Sequence, residues 1–135
     1  MPTFGFDRSN MFEPLLQADP SFLRAWKEFL ATYLTDGEDP PLYLALNELA
    51  RHLIAQIESG DTGRFDAVFD VVERWHLSGD DYVKEAASAG LLEDLQNGNL
   101  YREAQPEDFI PWLRPETRKW WIKVHEFWTE GKLIR

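Results

Sequence analysis

Residues 40–60 read PPLYLALNELARHLIAQIESG, and the fold class follows from this stretch. Pro40-Pro41 opens it, and Leu42, Leu46, Leu49, Ala50, Leu53, Ile54 and Ile57 then recur at steps of three and four, which a 3.6-residue period places on one face. Ser59-Gly60 closes the run with the residue that most readily leaves a helix in left-handed conformation. The alternation by two that a half-buried strand needs is missing. No other apolar stripe in the chain is as continuous, so this is the expected central helix.

The same period extends outward in both directions. On the amino-terminal side, Asp19-Pro20 is an N-cap followed by proline at the first helical position, and Phe22, Leu23, Trp26, Phe29, Leu30 and Tyr33 form a stripe until Asp36-Gly37 stops it. On the other side, a third helix starts near Asp61-Thr62 and carries Phe65, Val68, Phe69, Val72 and Trp75 to Ser78-Gly79. Asp80 or its neighbour caps a fourth, with Tyr82, Val83, Ala86, Ala87, Leu91, Leu92 and Leu95 inward until Asn97-Gly98-Asn99. Gly90 lies inside that helix, where glycine costs about 1 kcal/mol relative to alanine. A close helix crossing over Ala86, Ala87, Ala89 and Gly90 accounts for it. Residues 99–105 are a connection, Pro106 starts a short helix through Phe109 and Ile110 toward Trp112, and Pro115 starts the last helix, which Gly131 ends.

Four of the six tryptophans fall in residues 111–128. Trp120, Trp121, Val124, Phe127 and Trp128 repeat at i, i+1, i+4, i+7 and i+8, the spacing of one buried face. A stripe with two adjacent tryptophans is wider than one packing face needs, which puts Trp120 or Trp128 forward as an exposed contact residue. Thr117 or Glu116 is placed to satisfy the free amides of this last helix. The short connections favour antiparallel neighbours. The expectation is a single all-α domain over residues 1–135, an irregular bundle of six or seven helices. The pairs 41–58 with 63–77 and 63–77 with 81–96 are candidates for HEAT-like stacked helical hairpins, although no fixed repeat period supports them. Residues 1–10, with Phe4, Gly5 and Phe6, read as an extended arm lying over the bundle or over a second subunit, so monomer and homodimer are both open.

A chain of 135 residues suits one hydrophobic core, and 44% apolar with 14% aromatic residues is too much for a disordered chain despite a net charge of -10. Cysteine is absent, which removes disulfides, thiolate metal sites and cysteine nucleophiles. Residues 1–20 lack the basic start and apolar run of a secretory leader, and no window reaches the length of a membrane span, so a cytoplasmic protein is expected. Charge is uneven: residues 1–60 hold 9 acids and 4 bases, residues 61–110 hold 12 and 4, and residues 111–135 hold 3 and 6. An acidic middle repels phosphate and argues against nucleic acid, whereas it suits a basic protein partner. The candidate interaction surface is therefore Asp66, Asp70, Glu73, Asp80, Asp81, Glu93 and Asp94, with Trp120 and Trp128.

Catalytic chemistry finds little support. Glu73 and His76 at i, i+3 form half of a carboxylate-bridged di-iron motif, but the second Glu-x-x-His is missing and about six ligands are needed. Glu48 and His52, at i, i+4, would complete the alternative reading, a metal-binding helical bundle or enzyme using Glu48, His52, Glu73 and His76. The plainer reading sets His76 at a helix C-terminus, where an imidazolium complements the macrodipole, and leaves His52 and His125 on polar faces. None of the serines at 9, 21, 59, 78 and 88 sits in a nucleophile elbow, and Ser21, Ser59 and Ser78 are explained by helix ends. Gly60, Gly63 and Gly79 punctuate helices without forming a phosphate loop. The adjacent acids Asp80-Asp81, Glu93-Asp94 and Glu107-Asp108 point about 100 degrees apart on a helix, as first-turn or solvated acids do. No catalytic, cofactor-binding or metal-ligating residue is assigned, and no cofactor is expected.

The strings Gly90-Leu91-Leu92-Glu93-Asp94-Leu95-Gln96-Asn97 and Leu113-Arg114-Pro115-Glu116-Thr117-Arg118-Lys119-Trp120-Trp121, with Phe127-Trp128 beyond, resemble segments of a family of small bacterial helical proteins of unknown function. The resemblance spans most of residues 12–130. It implies an all-α domain and carries no catalytic residue with it. By analogy with small acidic immunity proteins, a toxin-neutralising role is the sharpest form of the interaction reading.

Overall fold

A computed structural model of the chain describes residues 5–34 and 40–130. Among these residues it contains seven α-helices: α1 (Phe12–Ala18), α2 (Leu23–Tyr33), α3 (Leu42–Ser59), α4 (Phe65–Ser78), α5 (Asp81–Glu85), α6 (Glu93–Leu95) and α7 (Pro115–Glu130). Tight 3-10 turns cover Pro20–Phe22, Gly98–Leu100 and Pro106–Trp112. Among the described residues there is no strand, and the chain is an all-α bundle as its periodicity requires. The expected stops at Asp36-Gly37 and Gly131, and Phe4 of the arm, lie outside the described residues.

The stripe of α3 is buried along its length, from Leu42 through Ile54. The helix ends at Gly60, whose φ of 78° is left-handed and whose amide turns back to the carbonyls of Gln56 and Ile57. Glycine adopts that angle without the Cβ clash other residues meet. Against α3 runs one continuous helix built from α5, a π-helical segment (Ala86–Leu92) and α6. Asp80 caps it, accepting from the Val83 amide at 2.9 Å. Apolar spacing does not reveal the π segment, because a locally widened turn buries the same residues as an α-helical one. It is the hub of the fold, approached by α3, α4 and α7. A Cβ on Gly90 would lie 3.0 Å from Leu46 Cδ1 and 3.1 Å from the Tyr43 ring, so the small-residue surface is indeed where two helices cross closely.

This crossing decides the helix order. The closest backbone approach of α3 is to the 81–95 helix, where Ala86, Ala87 and Gly90 let it in, while α4 packs mainly on α7 and α1. Sequential hairpin stacking is thus not how α3 is covered. Trp75, Phe22, Phe65, Phe69 and Phe109 are the largest fully buried side chains. Phe65 stacks on Phe109 at 5.7 Å and meets Trp112 edge-on at 5.0 Å, which fixes the Pro106–Trp112 turn to α4. That turn is the short helix Pro106 starts, in 3-10 form.

Among the described residues of the arm, 5–7 are extended before a turn leads into α1, a helix the apolar spacing does not reveal. Phe6 pairs with Gly79 in an isolated parallel bridge: its amide donates to the Ser78 carbonyl at 3.0 Å, and the Asp80 amide donates to the Phe6 carbonyl at 2.8 Å. The described arm therefore lies over its own bundle. The Trp75 indole donates to the Met11 carbonyl at 2.9 Å, and Phe12 stacks on Trp26 at 4.5 Å, tying α1 to α4 and α2.

Candidate functional site

Helix α7 begins with Pro115, leaving the amides of the following residues without partners inside the helix. Glu73, on α4, supplies them. Its Oε2 accepts from the Glu116 amide at 3.0 Å, and its Oε1 accepts from the Thr117 amide and the Thr117 hydroxyl, each at 2.8 Å. A carboxylate at a helix N-terminus also complements the macrodipole. Glu73 is 8% exposed and Thr117 fully buried, so the cap is internal. This corrects two expectations: the amides are satisfied by Glu73, with Thr117 itself a donor to the cap, and Glu73 is no part of an accessible interaction surface.

His76 completes the cluster. Its Nδ1 lies 3.0 Å from the Val72 carbonyl and 3.3 Å from the Thr117 hydroxyl, and its ring stacks near-parallel with Trp120 at 6.3 Å. A carbonyl accepts only, so Nδ1 carries the proton; Nε2 is buried without a partner. Burial pushes the imidazole pKa down, outweighing the Val72 carbonyl and the charges of Glu73 and Glu116. The ring is neutral, not the dipole-complementing imidazolium the sequence suggests.

A second polar cluster lies between the Pro20–Phe22 turn and α3. Asp19, fully buried, accepts from the Ser21 amide at 3.1 Å and from Gln56 Nε2 at 3.2 Å, and lies 3.2 Å from His52 Nε2. The Ser21 hydroxyl is hydrogen-bonded to Asp19 and lies 3.0 Å from the same His52 nitrogen. Burial disfavours the Asp19 charge, but Ser21, His52 and Gln56 together hold its carboxyl below the usual range. Serine, histidine and aspartate meet here without a proton relay, because a relay needs the acid and the hydroxyl on opposite ring nitrogens. The cluster is a helix cap, and His52 belongs to it, not to a bare polar face. Glu48 is exposed and lines a shallow cleft with Phe29 and Tyr33 on α2. Of the four residues of the metal reading, Glu73 and His76 share the Thr117 cluster while His52 and Glu48 lie apart from it, and among the described residues no group of three histidine or acidic side chains is placed to hold a metal ion.

The remaining surface acids divide by what they contact. Asp70 is paired with Arg74 at 3.3 Å and Arg114 at 3.8 Å. Asp80 is occupied as a cap. Asp66 and Asp81 are exposed first-turn acids, and Glu93 and Asp94 are half-buried, their carboxyls pushed up by burial, with Asp94 partly relieved by Asn47 and Arg51. Trp120 is half-buried between His76 and Lys123, whose ammonium lies 4.4 Å from the ring centroid. Trp128 is 48% exposed.

Sequence reasoning passed over Tyr43 and Glu85. Tyr43, 39% exposed on α3, meets half-buried Tyr82 edge-to-face at 6.1 Å. Its hydroxyl is pushed up by burial first and then by Glu85, Tyr82 and Glu93, and the Arg8 guanidinium lies 4.7 Å from the Tyr82 ring centroid. Periodicity assigns each residue to an outer or inner face of its own helix but does not say which outer faces adjoin. A further acid, Glu58, is held by the loop after the Gly98–Leu100 turn, its Oε2 accepting from the amides of Arg102, Glu103 and Ala104 at 2.6, 2.8 and 3.2 Å. Those hydrogen bonds hold its carboxyl below the usual range.

The geometry thus consists of structural polar clusters inside and a half-exposed tyrosine pair outside. A domain of unknown function (DUF7674) matches residues 12–129, and the chain belongs to that family. No curated protein and no solved structure matches the chain. No helix among the described residues is long and apolar enough to cross a membrane.

Proposed function

We propose that the chain is a non-catalytic bacterial interaction protein of the cytoplasm that docks a basic protein partner, with neutralisation of a toxin as the sharpest form of that role. One observation carries the reading. Tyr43 and Tyr82 form a half-exposed aromatic pair at 6.1 Å, with Arg8 over the Tyr82 ring and with Glu85 and Glu93 among the groups that raise the Tyr43 hydroxyl pKa. Tyrosine gives large contact area at little entropic cost, and surrounding acids steer a basic partner and weaken with salt. Of the acids expected on the surface, Asp66 and Asp81 are exposed and Glu93 is half-buried, while Glu73, Asp70, Asp80 and Asp94 are engaged within the chain. The same negative charge disfavours nucleic acid.

A photo-crosslinking amino acid at Tyr43, compared with one at exposed Arg64, tests the reading in cells. A basic protein captured from position 43 and not from 64 is expected. Its association rate should fall steeply as salt rises and drop further in a Glu85→Lys, Glu93→Lys variant. An association rate that ignores both salt and charge reversal sinks the proposal.

A further inference from the structure

His76 stands where α4 meets α7, 4% exposed, with its ring near-parallel to that of Trp120 at 6.3 Å. Its Nδ1 edge is provided for, with the Val72 carbonyl at 3.0 Å and the Thr117 hydroxyl at 3.3 Å. Its Nε2 edge is not. That atom is buried and meets no hydrogen-bond partner. A neutral ring presents only a lone pair there, whereas an imidazolium presents an N–H and a charge that nothing accepts. The charges that act on the ring are two carboxylates, Glu73 on its own helix and Glu116 on α7. Glu73 reaches it through Thr117, on the Nδ1 side, and Glu116 is paired with Lys119 at 2.9 Å.

We infer that a proton on His76 Nε2 releases the first turns of α7 from α4 while the rest of the bundle stays folded, so that the α4–α7 contact is an acid-sensitive latch. The new N–H needs water, and water reaches a buried atom when one of its walls moves. Helix α4 is the wall that holds, because Phe65, Val68, Phe69, Val72 and Trp75 are fully buried or nearly so in the core. Helix α7 is the wall that yields. Among its described side chains only Thr117, Trp121 and Val124 are buried, and its first turn borrows its cap from Glu73. Local opening draws on the elements with least buried contact. Neither Tyr43 nor Tyr82 takes part, so the latch and the docking face can fail separately.

The test is amide hydrogen exchange on the intact chain, corrected for the intrinsic effect of pH on exchange. Opening at residues 116–121 should grow more than twofold between about pH 7.5 and about pH 5.5, and no more than about tenfold, the limit for one proton on a group of ordinary pKa 6.5. The amides of residues 49–54 in α3 should keep their protection over the same range. In His76→Gln, which takes up no proton, opening at 116–121 should no longer depend on pH. The ring nitrogens of the parent chain, followed by NMR, give a readout that needs no variant: His76 should titrate below its ordinary value. A ring that titrates at or above that value, opening that ignores pH, or protection lost equally in α3 and α7 overturns the inference. The same pH dependence in the His76→Gln chain also overturns it.

Discussion

The Glu73 carboxylate closes the first turn of a helix to which it does not belong, standing 2.8 Å from both the amide and the hydroxyl of Thr117. Removing it strands three buried or half-buried donors. Glu73→Ala should cost about 3 kcal/mol of unfolding free energy, since unmet buried donors and charge-assisted hydrogen bonds each weigh heavily. Glu73→Gln, which keeps one acceptor oxygen, should cost about half as much. Urea denaturation of both variants measures the difference. Equal losses would mean that side-chain volume, not hydrogen bonding, is what Glu73 contributes.

Stability should fall with acid in separate windows. His76 has a folded pKa below its unfolded value of 6.5, so the unfolded chain takes up the proton first. Its contribution is fully present above pH 6.5 and is lost as pH falls below it. Asp19, whose folded pKa lies below 3.8, contributes stability above that value that is lost as pH falls through the folded pKa. Glu93 and Asp94 act in the opposite sense, their raised pKa values giving some stability back as pH falls through them. A His76→Gln variant should flatten the first window alone, read from denaturation midpoints at a series of pH values.

Two glycines should respond differently to alanine. At Gly79 a Cβ would stand 2.4 Å from the Trp75 carbonyl oxygen and 2.6 Å from Val83 Cγ1, so backbone must move. Gly79→Ala should cost about 3 kcal/mol, as overpacking does. At Gly90 the nearest atoms are side-chain ends at 3.0 and 3.1 Å, and alanine's better helix propensity, about 1 kcal/mol, offsets the crowding. Thermal melts should place Gly90→Ala within about 1 kcal/mol of the parent by this argument.

The aromatic stripe of α7 should divide in the same way. Trp121 is 6% exposed, and Trp121→Ala should cost about 3 to 5 kcal/mol. Trp128→Ala should stay within about 0.5 kcal/mol in the same assay. A loss below about 1 kcal/mol for Trp121→Ala would place that ring at the surface.

What the sequence revealed and what it hid follow one division. The stripes of α3 and α4, the Asp80 cap and the Gly60 stop were legible because each depends on residues within a turn or two of one another, and the crossing at Gly90 was legible as a run of small residues although Leu46 and Tyr43, which it meets, lie on α3. Helix α1 was hidden because its seven residues bury only Phe12 and Leu15, too few positions for a period. The π segment was hidden because its residues are the small and apolar ones an α-helix would also bury. Glu73 was misplaced for a different reason. Its partners lie on α7, and only the packing of α4 against α7 turns an apparently solvated acid into an internal cap. Tyr43 and Glu85 were passed over because a surface shared by two helices is a property of neither.

The Phe6–Gly79 bridge sets an order on synthesis. A chain made from its amino end must hold Phe6 unpaired until residues 78–80 have left the ribosome, and α7 waits on Glu73 in the reverse sense, its cap made well before its own first turn. The early helices are therefore bound to mature late. Limited proteolysis of stalled nascent chains should find the segment around Phe6 cleavable in every intermediate that stops short of Asp80, and protected beyond it.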